Sequence, residues 1–280
     1  MSGQAGALLA VRHLRLVFGT GDSAFTALED VSFEAADGRF ISIVGPSGSG
    51  KTTLLRCLAG LIRPTAGDVL LRNRPIDGVP DELAIVFQEY SRSLYPWLTV
   101  RENVAMPLKR QGLPSADRED RIRRSLAEVG LADTADRYPW QLSGGMQQRV
   151  AIARAIAYAP EILLMDEPFA SVDAQTRADL QDTLLDVWRR HRSTIVFVTH
   201  DIDESVYLAD RVVVLSHAPA RVMAEIAIDL PRPRDQIATR ELSRFVELRA
   251  DVARLIRRPA TGEAAKSIPE LATAEKAGAT

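Results

Sequence analysis

Residues 39–53 leave this chain few folds to choose from. An apolar run, Phe40 to Val44, leads into Gly45-Pro46-Ser47-Gly48-Ser49-Gly50-Lys51-Thr52-Thr53 and then into the helical run Leu54 to Ala59. The pattern is G-x-x-x-x-G-K-[ST] between a buried strand and a helix, the setting in which a glycine-rich turn wraps phosphate. Glycines let successive backbone N–H groups close on a β-phosphate, and the helix N-terminus adds free donors and the positive end of its dipole. Lys51 supplies a point charge for the β/γ oxygens, and Thr52 supplies a hydroxyl able to ligand Mg²⁺. A chance glycine turn beside a lysine would not bring both flanking elements with it. The stretch implies a nucleoside triphosphate.

The remainder must fit around that turn. A length of 280 residues allows one large α/β domain or a core with an inserted lobe. A net charge of −2 gives no reason to expect a nucleic-acid partner. Cys57 is the one cysteine, so no internal disulfide is possible, and its place in the helix after the loop suggests core packing. No apolar run approaches a membrane span, and residues 1–6 lack the basic start and apolar core of a signal peptide. Any membrane role must come through a partner.

Strands are expected at 8–18, 27–35, 40–44, 68–76 (with a turn), 83–87, 162–165, 194–198 and 211–215. Helices are expected at 54–59, 143–158, 174–190 and 202–208. Such alternation implies a mainly parallel sheet covered on both faces. Residues 98–139 change character: Val100–Arg110 and Asp117–Gly130 carry helical spacing, many charges and no strand signal. A helical lobe of about 98–145 is therefore expected inside a core domain spanning 1–235. An arginine-bearing amphipathic helix is expected at 236–258, and a disordered tail at 259–280.

A phosphate loop alone serves kinases, GTPases, helicases and transporters alike, and other residues must decide among them. Ile162-Leu-Leu-Met-Asp-Glu-Pro168 sets two carboxylates at the end of a buried strand. Asp166 is placed to hold Mg²⁺, and Glu167 suits a general base that polarises the attacking water. Leu142-Ser-Gly-Gly-Met-Gln-Gln-Arg149 is more specific. Ser143 can cap the helix, while Gly144 and Gly145 expose its first N–H groups to a phosphate.

With these motifs in hand, the chain resembles the ATP-binding subunits of ABC transporters from about residue 8 to about residue 230. The resemblance implies an α/β P-loop NTPase with a mainly parallel core, an antiparallel β subdomain and an inserted helical lobe. It implies ATP and Mg²⁺ as cofactors, and a head-to-tail dimer in which Ser143-Gly144-Gly145 of one copy closes over ATP on the phosphate loop of the other. Carried over by position, Gln88 matches the Q-loop glutamine that reaches the metal, and Asp173 of Ser171-Val172-Asp173 matches the D-loop. His200 matches the switch histidine at the γ-phosphate. Phe18 is the candidate to stack on adenine, with Phe25 as its rival, and either can be core. Met146 replaces the glutamine of LSGGQ, outside the phosphate donors.

LSGGM-Gln-Gln-Arg resembles the nitrate, sulfonate and taurine importer branch, as does Phe87 to Val104. That likeness implies a membrane permease docked on the Gln88–Trp97 region, where Tyr90, Leu94, Tyr95 and Trp97 cluster. For Trp97, packing at the lobe junction is an equal alternative. It further implies an extracytoplasmic solute-binding protein and a peripheral place on the cytoplasmic face of the inner membrane. The alternatives are a soluble ABC ATPase acting on DNA or ribosomes, a nucleotide-dependent dimer switch, and a kinase. The kinase leaves Ser143-Gly144-Gly145 unexplained.

Overall fold

The computed structural model describes residues 7–88 and 93–257. Tyr90, the expected tail at 259–280 and the first six residues lie outside them. Two long antiparallel strands come first, β1 (Ala7–Phe18) and β2 (Phe25–Ala36). Strand β3 (Phe40–Val44) is buried throughout, and α1 (Lys51–Leu58) follows the phosphate loop. Eight residues are too few for a helix to persist alone. Leu54, Leu55 and Leu58 are fully buried, each worth ~1.5–3 kcal/mol, so packing fixes α1 and with it the loop. Cys57 is buried in the same layer, which pushes its thiol up to about 11.

Strands β4 (Ala66–Leu71) and β5 (Arg74–Pro75) extend the antiparallel region, and β6 (Leu83–Val86) enters the parallel one. The chain then turns helical: α2 (Val100–Ala105), α3 (Ser115–Glu128) and α4 (Gly144–Tyr158). A capping box starts α2, with Thr99 Oγ1 accepting from Glu102 N and Glu102 accepting from Thr99 N. The single helix expected over 100–110 is interrupted, because Pro107 cannot continue the α2 hydrogen-bond ladder and opens a 3₁₀ turn, Pro107–Gln111.

The remaining elements are β7 (Ile162–Asp166), α5 (Ala174–His191), β8 (Thr194–Val198), α6 (Ile202–Leu208), β9 (Arg211–Leu215) and β10 (Ala220–Ala227). The helix expected over 236–258 divides into α7 (Ala238–Glu241) and α8 (Ser243–Ile256), separated by the extended Leu242. Among the described residues no helix is long and apolar enough to cross a membrane.

The sheet order is β5-β4-β1-β2-β10-β9-β3-β8-β7-β6. The five strands from β9 to β6 are parallel to one another. Alternate residues of β3 feed two separate cores. Phe40 and Val44 join the helices α4, α5, α6 and α8, while Ile41 and Ile43 join α1 and the β1–β2 pair. Both faces are therefore covered, as unbroken apolar strands require. β10 gave no clear sequence signal, yet it joins the two regions: it runs parallel to β2 and antiparallel to β9.

Candidate active site

The phosphate loop leaves β3 at Gly45, where any Cβ would come within 3.1 Å of the Leu215 carbonyl oxygen and 2.9 Å of Ser49 Oγ. Gly50 caps α1 at φ +82°, a left-handed conformation natural to glycine, and no side chain caps the helix. The first N–H groups of α1 are thus left for an incoming anion. Ser49 is fully buried with its hydroxyl unbonded, Ser47 and Gly48 are exposed, and Pro46, Thr52 and Thr53 are half-buried. Lys51 Nζ donates to the carbonyls of Gly45 and Pro46, both at 2.9 Å. Burial lowers its pKa, and the Glu167 and Asp166 carboxylates oppose that shift. The ammonium thus rests on weak neutral acceptors from which phosphate oxygens can take it.

Strand β7 delivers its carboxylates into separate spaces. Asp166 is buried and accepts a hydrogen bond from the Thr52 hydroxyl at 3.1 Å. Burial raises its carboxyl above the usual range, with the Thr52 bond working against it. Thr52, Gln88 and Asp166 line one open cleft of about 660 Å³, with Arg56, Tyr95 and Arg154. Glu167 sits at φ +42°, uncommon for a non-glycine residue and of the kind that gathers at functional sites. Its backbone N–H donates to Val198 O at 2.9 Å, and its Oε2 lies 2.8 Å from His200 Nδ1. Glu167 and His200 border a smaller cavity with Arg177, Thr199 and Glu204.

Ser143 caps α4, its Oγ accepting from Met146 N at 3.3 Å, and Met146 packs against the helical core. A Cβ on Gly145 would stand 2.4 Å from Thr176 Cγ2, so glycine lets α4 lie against the start of α5. Asp173 caps α5 by accepting from Thr176 N at 3.0 Å, which holds its carboxyl below the usual range. Ser143 and Gly144 are exposed, and neither they nor Gly145 line the cleft or the cavity. One chain brings together Lys51, Thr52, Gln88 and Asp166, and separately Glu167 with His200. Ser143–Gly145 stand outside both groups.

Phe18 and Phe25 are directly opposed across β1 and β2, so they share one face of the sheet, 43% and 56% exposed. Leu94 is buried, whereas Trp97 is 70% exposed and touches Tyr95 ring to ring at 5.5 Å. A second pair, Tyr138 stacked on Trp140, comes from a segment joined to α2 by Val100 N donating to Arg137 O.

Sequence reasoning also passed over several polar residues. Asn103 bonds the backbone of Tyr95, Leu98 and Thr99, and Arg154 bonds Ser93 beside Gln88. Glu204 accepts from Thr199 and Gln181, while Arg177 beside it donates to Val172 O. Ser93 and Gln181 stand 61 and 23 residues from Arg154 and Glu204, and the nearer partners, such as Thr199, are loop groups with no helical or strand spacing to mark them.

The sequence profile described as ABC transporter matches residues 28–170. An uncharacterized ABC transporter ATP-binding protein of Methanocaldococcus jannaschii is 45% identical over 89% of this chain and 91% of that protein. The nitrate transport protein NasD of Klebsiella oxytoca is 42% identical over 88% of this chain and 94% of that protein. Among solved structures, the dimeric post-hydrolysis state of the ATP-binding cassette MJ0796, bound to ADP and Pi, aligns with a TM-score of 0.68 and 32% identity. That alignment covers 79% of this chain and 98% of that one.

Proposed function

The chain belongs to the ABC transporter ATP-binding family, and from that premise we propose that it powers import of nitrate or a closely related small anion. It is an ATPase subunit, and dimeric cassettes among its structural neighbours support nucleotide-driven dimerisation. The solute follows from relatives named for nitrate transport at about 42% identity over most of the chain. Those names also favour the transporter over the soluble ATPase and switch readings.

The observation that carries the site is the Thr52–Asp166 contact of 3.1 Å at the mouth of the phosphate loop. Thr52, Asp166 and Gln88 offer oxygen donors to one cleft, which fits a hard divalent cation. When bound, Mg²⁺ would neutralise charge on the phosphate oxygens. Lys51 exchanges its loop carbonyls for the β/γ oxygens. Glu167 accepts the proton of the attacking water, and His200, held by Glu167 in the free chain, turns to the γ-phosphate. Phe18, with Phe25 beside it, stacks on adenine.

Ser143–Gly145, which line neither space of their own chain, close the site of a second copy. The Tyr95–Trp97 and Tyr138–Trp140 pairs present aromatic surface to a membrane permease, which holds the subunit at the cytoplasmic face of the inner membrane and receives solute from an external binding protein.

Glu167→Gln tests this. The variant should bind ATP, dimerise in light scattering only with ATP present, and lose turnover by about 10²-fold or more. Near-normal hydrolysis would remove Glu167 as the base. In cells carrying only that variant, uptake of labelled nitrate should stop. Intact nitrate uptake with loss of a different anion would reassign the solute.

A further inference from the structure

A third cleft, of about 260 Å³, lies between α5 and the segment Pro231–Arg234, lined by Trp188 and by Arg189, Arg192, Arg232 and Arg234. Four guanidinium groups around one small space raise the question of what balances them. Arg189 pairs with Asp186 at 2.8 Å. Arg232 pairs with Asp210 at 2.9 Å and lies over the Trp188 ring, 4.3 Å from its centroid. Asp182, also in the wall, accepts from Tyr207 OH and Gln236. Among the described residues, Arg192 and Arg234 have no carboxylate within ion-pair distance.

Arg234 is the more telling of the two. Its Nη1 donates to the carbonyls of Val206 and Tyr207, while Nε and Nη2 are shielded from solvent and meet no acceptor. Nε and Nη2 form one edge of the guanidinium, with two parallel N–H bonds spaced to grip two oxygens of a single anion. Buried donors without partners call for a water or an ion. Burial and the adjacent Arg232 push the Arg234 pKa down to about 9, with the Asp210 carboxylate only partly opposing them.

We propose that this cleft is a binding site for a small free oxyanion, of sulfate or nitrate size, gripped by the Nε–Nη2 edge of Arg234 with Arg192 as the second positive group. Because that edge is shielded in the free chain, the cleft wall must shift for the anion to reach it. Arg232 and Arg234 also hold the carbonyls of Val206, Tyr207 and Leu208, the last turn of α6. Helix α6 begins two residues after His200, so occupancy of the cleft bears on the switch histidine through one short helix.

The test uses Trp188 as the reporter. Trp97→Phe and Trp140→Phe together leave it the sole tryptophan of the three. The full chain is titrated with sodium sulfate against sodium chloride of equal ionic strength, with and without saturating ADP to fill the phosphate loop. A saturable change in Trp188 emission is expected with sulfate alone, and it should persist in ADP. It should weaken at least about tenfold in Arg192→Gln, whose side chain is exposed and makes no hydrogen bond among the described residues, and in Arg234→Lys, which keeps the charge but loses the fork. The proposal is overturned by the absence of a saturable change, by its loss in ADP, or by unaltered affinity in both variants.

Discussion

Glu204 shows how much a single buried carboxylate can hold. It is 5% exposed, accepts from the Thr199 hydroxyl at 2.7 Å and from Gln181 at 3.3 Å, and faces Arg177 and Asp201. Burial raises its carboxyl above the ordinary value, and the bonds from Thr199 and Gln181 only partly offset this. A carboxyl raised in the folded chain favours folding below its unfolded pKa, about 4.3, and that contribution is lost as pH rises through the folded value. Wild type should therefore lose stability relative to Glu204→Gln as pH rises above ~4. Urea midpoints along that rise check this. A gap that moves in favour of wild type as pH rises would show that the carboxyl is not raised. At this scale the phosphate loop, Asp166, Glu167 and His200 were legible because each sits in a contiguous motif at a strand end. Arg154 was not, since its partner Ser93 stands 61 residues away, and Glu204 was not, since burial and Gln181, 23 residues back, join Thr199 in defining it.

Elements are held at their ends as much as along their faces. Asp173 alone caps α5, an 18-residue helix whose buried residues Leu180, Leu184 and Leu185 join the helical core. Removing the acceptor leaves the Thr176 N–H without its partner, so Asp173→Ala should cost about 1 kcal/mol. That corresponds to a fall in Tm of ~2–4 °C, whereas Asp173→Asn, which keeps an acceptor, should melt close to wild type. Calorimetry on the two variants distinguishes capping from a charge effect, because equal losses in Ala and Asn would point to the charge. Parallel strands were readable as short, mostly apolar runs between helical segments. β10 was not, for it has alanine at 220, 224 and 227 and is only partly buried beyond Ala220. What makes it a strand is pairing with β9 and β2, a fact of tertiary structure. The split of the last helix at Leu242 was hidden for the same reason, since residues on both sides have helical propensity.

For the whole molecule, the decisive arrangement is the gap between what one chain assembles and what catalysis requires. Thr52, Gln88 and Asp166 line one cleft, while Ser143 and Gly144 are exposed at the start of α4 and line none of that space. If a second copy completes the site, the two halves are separable by mutation. Ser143→Arg should keep ATP affinity within about twofold, because its own phosphate loop is untouched, yet lose turnover by about 10²-fold through blocked closure. Lys51→Ala should lose ATP affinity itself. In a symmetric head-to-tail pair, a mixed dimer has one site with both defects and one with neither. Random mixing makes about half the dimers mixed, each with one intact site of two, so independent sites would restore roughly a quarter of wild-type turnover from two inactive proteins. ATP binding by filter retention and phosphate release on the same samples measure both quantities. Loss of ATP binding in Ser143→Arg would mean that Ser143 acts within its own chain, and wild-type turnover would mean that it closes no site at all.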